Sequence, residues 1–227
     1  MCNLNISTYF YNNLESEKKA IIDSYNKIDV DTWINKILSY QIINYILKKI
    51  NISDNLGYQP ELIERKLLTK KDMSEQIENA KELNYILNKF PKATSSIIVY
   101  RGFYYDDYFS KIADKLLIDN ELIIPYFLST TIKKDIAYAF TGVEKKFIWY
   151  ITILKGNTLC FINKKTNCGE CEVLINLGSI LKFKKKYIDS NTGAKILEFE
   201  LIGFSKLFEN NNFWEIVNKK AIEYTYY

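Results

Sequence analysis

Of the 31 basic residues in the chain only two are arginines, Arg65 and Arg101. Arg101 follows the apolar run Ile97-Ile98-Val99 in the tripeptide Tyr100-Arg101-Gly102, at the end of a strand candidate. A chain that otherwise supplies positive charge as lysine places a planar, five-donor fork here, the group that grips a phosphate or carboxylate bidentately. Taken alone, the residue is also compatible with capping the strand against a nearby carboxylate. Downstream stand Phe127-Leu128-Ser129-Thr130-Thr131 and Gly169-Glu170-Cys171-Glu172-Val173-Leu174, each touching a strand candidate. Positions two apart on a strand face the same side, so Glu170 and Glu172 are expected to share a face, with Cys171 on the other. Two carboxylates so placed raise one another's proton affinity and can divide the work of charge stabiliser and proton acceptor.

The composition removes several alternatives. There is no histidine, which excludes Ser-His-Asp, Cys-His and His-metal mechanisms. The four cysteines stand at positions 2, 160, 168 and 171. A zinc site would need Cys160, Cys168 and Cys171 plus Cys2 or a carboxylate, and would divert Glu172; the expectation is no metal and unpaired thiols in a reducing cytosol. No G-x-G-x-x-G occurs, which argues against Rossmann hydride chemistry. The net charge of +4 comes from lysines and acids mixed along the chain, too mild and dispersed to suggest a nucleic-acid partner. Met1 to Ile6 lacks a basic n-region and an apolar h-region. No apolar run approaches the ~20 residues that span a bilayer. A cytoplasmic protein without membrane insertion is expected.

In order, an arginine at one strand end, a Ser-Thr-Thr at another and Glu-x-Glu opening a third resemble the R-S-E class of mono-ADP-ribosyltransferases. That class includes clostridial binary-toxin enzymes, vegetative insecticidal toxins and vertebrate ecto-ADP-ribosyltransferases. The resemblance runs roughly from residue 15 to residue 203 and takes in Ile34-Asn35, Ala137 to Phe140 and Val173 to Phe183. It departs from the family at Thr131, where Ser is usual, and in Asn163 to Gly169, which carries no aromatic residue. The resemblance implies NAD as a consumed substrate, with ADP-ribose transferred to an arginine of a target protein. A NAD glycohydrolase on the same site and a catalytically silent binding module are the alternatives. A separate delivery component, as toxin members use, would lie outside this chain.

The resemblance also assigns roles. Glu172 would hold the ribose 2′-hydroxyl and stabilise the oxocarbenium, and Glu170 would accept a proton from the incoming guanidinium. Arg101 would clamp the pyrophosphate of NAD, and backbone groups of Gly102 would meet the nicotinamide carboxamide. Ser129 would orient Glu172, and Thr130 belongs to the same nucleotide-binding segment. Phe140 stands where relatives stack an aromatic on nicotinamide, and equally suits a core position.

These residues need elements to position them. Residues 1 to about 90 read as helices: Asp31 to Ile50 and Glu61 to Leu68 carry helical apolar spacing, and Asp72-Met73-Ser74-Glu75 resembles a capping box opening a helix that stops before Pro91. From residue 97 short β-branched and aromatic runs predict strands at 97–100, 147–154, 158–162, 172–177, 180–188 and 195–202, interrupted by helices near 106–118 and 134–141. The turn chemistry of Asp189 to Gly193 pairs the last two strands as a hairpin. The expected fold is α+β in a single domain over 1–227, with N-terminal helices before a mainly antiparallel β core of two packed sheets. Residues 204–227 form a tail beyond the resemblance, with a final helix as its one expected feature.

Overall fold

The computed structural model describes residues 12–25, 70–103, 115–141, 146–162 and 171–224. The helices expected within Asp31 to Ile50 and Glu61 to Leu68, and most of the one near 106–118, lie outside the described residues. Helix α1 (Ser16–Tyr25) buries Ile22. Helix α2 (Lys70–Asn88) begins two residues ahead of Asp72. It buries Ile77, Ala80, Leu83, Asn84 and Leu87, the three-four spacing of one helical face. Pro91 follows the stop.

Eight strands are then hydrogen-bonded in the order β2-β7-β8-β4-β1-β3-β6-β5. They are β1 (Ile97–Phe103), β2 (Glu121–Ile124), β3 (Leu128–Thr131), β4 (Phe147–Ile153), β5 (Cys160–Ile162), β6 (Glu172–Ile175), β7 (Ser179–Ile188) and β8 (Lys195–Phe204). Pairing is antiparallel except between β4 and β8, which run parallel. The α+β architecture is as expected, and the two groups of strands, β2-β7-β8-β4-β1 and β3-β6-β5, are joined through β1 and β3 at the pair Tyr100↔Thr131. Residues 189–193 form the expected hairpin turn between β7 and β8. Strand β2 was not expected; it is a four-residue edge strand on β7, too short for its alternation to stand out from a loop.

The core fills from both groups. Trp149 lies between Phe103 and Phe199, with centroids 4.8 Å away on each side, and Phe183 continues the row. Such pairs contribute about 0.5–1.5 kcal/mol each beyond their area. The row crosses β1, β4, β8 and β7 and ties four strands into one face.

The C-terminal segment belongs to this core. A 3-10 turn (Lys206–Glu209) leads into an α-helix (Asn211–Tyr224). Phe208, Phe213, Trp214 and Val217 are buried. The Phe208 carbonyl accepts from Asn84 Nδ2 and Trp214 Nε1, both at 3.0 Å, and Asn176 Nδ2 donates to the Asn84 carbonyl at 3.1 Å. Gly178, at φ 75°, is required beneath Phe208, because a Cβ there would come within 2.4 Å of the ring. Among the described residues no helix is long and apolar enough to cross a membrane.

Candidate active site

Strands β3 and β6 place Ser129 opposite Leu174 and Thr131 opposite Glu172. Ser129 and Glu172 are therefore diagonal neighbours on one face. The Ser129 hydroxyl donates to Glu172 Oε1 at 2.6 Å, a length typical of strong hydrogen bonds to carboxylates. Glu172 is 7% exposed, flanked by β3 on one side and by Ile162 of β5 on the other. Its charge reaches Cys160, whose thiol is pushed well above the ordinary range, first by burial and then by Glu172. Such a thiol stays protonated and unreactive.

Arg101 approaches the pair from β1. Its Nη1 donates to the Ser129 carbonyl at 2.5 Å, so the guanidinium braces β1 against β3 beside their joint. It also lies 5.2 Å from the Phe103 ring centroid, within cation–π range. Its Nε is buried with no hydrogen-bond partner.

Gly102 faces the other side of β1. Helix α3 (Lys134–Ala139) lies on it so closely that a Cβ would come within 1.9 Å of the Ala137 carbonyl oxygen and 3.2 Å of the Phe140 carbonyl carbon. The glycine is required for helix-on-strand contact, a reason distinct from the close ligand approach expected of it. Phe140 caps α3 and is 54% exposed, which leaves it out of the core. Thr130 points away from Ser129 and is buried, its hydroxyl donating to the Val173 carbonyl at 2.6 Å. Thr131, where the motif departs from Ser-Thr-Ser, uses its hydroxyl to accept from the Lys133 amide at 3.0 Å at the entry to α3.

Glu170 lies outside the described residues. Cys171, which stands between it and Glu172, has φ 47°, a left-handed value uncommon outside glycine, where a shared face requires an extended residue. Simple alternation therefore does not carry from Glu172 to Glu170. The Cys171 carbonyl accepts from the Ile132 amide at 3.2 Å and extends the β3–β6 ladder by one bond. Cys160 and Cys171 are free thiols. Among the described residues no group of three His, Cys, Asp or Glu side chains is placed to hold a metal ion.

One cluster lies outside the motifs. Lys134 and Tyr138 of α3 meet Asp189 of the β7–β8 turn. Asp189 was legible only as a turn residue, because its partner Tyr138 stands 51 positions earlier in the sequence.

No family model matches the chain, and no curated protein matches it in sequence. Solved structures do resemble it. The ADP-ribosyltransferase Vis, a toxin from Vibrio splendidus solved in complex with agmatine, matches with a TM-score of 0.55 at 16% identity, covering 88% of this chain and 84% of Vis. C3larvin, an ADP-ribosyltransferase toxin from Paenibacillus larvae, matches with a TM-score of 0.55 at 17% identity, over 89% of this chain and 94% of its own. C3stau2 from S. aureus, solved with NAD, gives 0.56 at 16% identity, over 89% and 97%. The Arg101, Ser129 and Glu172 constellation thus sits in a chain that has the fold of bacterial ADP-ribosyltransferase toxins.

Proposed function

We propose that the chain is a mono-ADP-ribosyltransferase that cleaves NAD at the nicotinamide–ribose bond and transfers ADP-ribose to an arginine side chain of a target protein. The observation that carries this reading is the 2.6 Å Ser129–Glu172 hydrogen bond with Arg101 braced on the same serine. The fold adds support, as do relatives solved with NAD and with agmatine, a small guanidine.

In this reading Arg101 holds the pyrophosphate. One of its five N–H donors is used on Ser129 and Nε is unpartnered, so the fork has donors to spare for an anion. Ser129 fixes the carboxylate of Glu172 against the ribose 2′-hydroxyl. As the bond from C1′ to the nicotinamide nitrogen breaks, both its electrons leave with nicotinamide, and the ribose gains oxocarbenium character that the Glu172 carboxylate stabilises. A guanidinium nitrogen then bonds to C1′ and its proton passes to Glu170, which a group protonated at all physiological pH values requires. Phe140, exposed beside Gly102, supplies an aromatic face for nicotinamide.

The test is incubation with labelled NAD, with and without agmatine and a protein lysate. Label on agmatine or on protein arginine, lost in Glu172→Gln, is the expected result. Nicotinamide release that never labels an acceptor makes the protein a glycohydrolase, and no NAD consumption overturns the reading.

A further inference from the structure

On the face of the sheet that Gly102 shares, a polar cluster holds α3 through Lys134 at its start and Tyr138 two residues before Phe140. Asp189 uses its two oxygens separately. Oδ1 accepts from the Asn191 amide at 2.9 Å and shapes the β7–β8 turn. Oδ2 accepts from the Tyr138 hydroxyl at 3.0 Å and lies 3.7 Å from Lys134 Nζ. Thr192 adds a hydroxyl contact to Tyr138 at 3.3 Å. Lys134 and Tyr138 are four residues apart and so share a helical face.

Helix α3 needs such a fastening. It has six residues, and its N-cap, Lys133, makes no side-chain capping bond; a helix this short is not stable by itself. Its apolar anchorage is small: Ala137 packs with Ile148, Ala194 and Ile196, bordered by Tyr100, Tyr138 and Tyr150. At its C-terminal end it presses on Gly102 and presents Phe140 to solvent.

We infer that Tyr138 and Asp189 are positioning residues for NAD binding: they latch α3 to the β7–β8 turn, and the latched helix holds Phe140 in a fixed place beside Gly102. The inference rests on the reading of the cleft as a NAD site. Neither residue touches the cleft groups; both act through the helix.

NAD affinity by intrinsic-fluorescence titration and steady-state turnover, measured on the full chain, test it with four variants: Tyr138→Phe, Asp189→Asn, Phe140→Ala and the double variant Tyr138→Phe with Phe140→Ala. Tyr138→Phe keeps the ring and removes the hydroxyl, while Asp189→Asn keeps an acceptor for Asn191 and removes the charge. The expected result in each single latch variant is a rise in KM and Kd for NAD of about three- to tenfold with kcat within about twofold. Tyr138→Phe should add nothing once Phe140 is alanine, because the latch acts through that ring. Unchanged affinity in folded variants, a fall in kcat at constant KM, or full additivity with Phe140→Ala overturns the latch. Should Asp189→Asn fail to fold, Tyr138→Phe, which leaves the turn bonds in place, carries the test. A wild-type protein that binds no NAD overturns the cleft reading and the latch together, whereas wild-type binding with unaltered latch variants overturns the latch alone.

Discussion

Arg101 and Gly102 are consecutive on β1 and point to opposite faces, and each serves a region with its own wiring. On the Arg101 face the polar groups form a series: guanidinium to Ser129 carbonyl, Ser129 hydroxyl to Glu172. On the Gly102 face one carboxylate, Asp189, collects a tyrosine hydroxyl, a lysine and a turn amide. The series is half-buried to buried, whereas the lysine of the hub is about half exposed. A series in low dielectric loses much when one member is removed, because the next is left desolvated. A hub with several partners shares the loss among them and, at its half-exposed lysine, with solvent. In the proposed function the first arrangement would serve the cleavage of NAD and the second the placing of a binding element.

The sharpest test of that division is Glu172→Gln. Glutamine keeps the size and an acceptor for Ser129 but removes the charge. Transfer and NAD hydrolysis should both fall by at least ~10²-fold, the scale of one preorganised electrostatic contact. NAD turnover near the wild-type rate would remove Glu172 from the series. Next in size is Arg101→Lys, which keeps the charge and gives up the fork. Calorimetry should show NAD bound about tenfold more weakly, the scale of a lost hydrogen bond between charged groups. Equal affinity would leave Arg101 as a brace between β1 and β3 and nothing more.

Gly102→Ala probes the opposite face of the same strand. Its new methyl would meet the Ala137 backbone at 1.9 Å, and a helix carbonyl cannot rotate away as a side chain can. Overpacking of this kind costs about 1–3 kcal/mol, to be read from urea unfolding. The shift of α3 should also weaken NAD binding. Full stability with full affinity would show that α3 is free to slide, and would separate the two regions that Gly102 joins.

How far these regions were legible in the sequence follows from the range of the interactions. Arg101, Ser129 and Glu172 stood out because their residue types interrupt or border apolar runs, which local spacing reports directly, although β1 runs on past Arg101 to Phe103 and Ser129 lies inside β3. The expectation for Glu170 rested on an extended residue between it and Glu172, and no local pattern signals that Cys171 takes a left-handed conformation. Thr130 lies next to Ser129 in sequence but on the opposite face, where its hydroxyl serves Val173. The helical start and the hairpin at residues 189–193 were read to within a few residues. The parallel β4–β8 pair and the docking of the C-terminal helix on α2 were not, because both are contacts between distant segments that no local pattern encodes. The latch belongs with them: Asp189 carries a turn signature that accounts for one of its oxygens and gives no hint of the other.

The smallest effect expected is the acid response of the hub, and its sign is fixed by the direction of one shift. The Asp189 carboxyl is held below its ordinary value, first by the Asn191 amide and then by the Tyr138 hydroxyl, with Lys134 helping. A carboxylate lowered in the folded state adds stability that is fully present above its unfolded value of about 3.9 and is lost as pH falls through the lower folded value. Lys134, held above the ordinary lysine range by Tyr150 first, stays charged throughout that window. The difference in urea midpoint between wild type and Asp189→Asn should therefore be constant from about pH 5 to 9 and shrink below about pH 4. Because Lys134 is half exposed, added salt should shrink it too. A difference that stays constant as pH falls from about 4 towards acid unfolding would mean that the turn geometry, and not the charge, carries the contribution of Asp189. In that case the hub would reduce to a hairpin turn with a tyrosine resting on it, and the contrast with the buried series on the other face of β1 would widen.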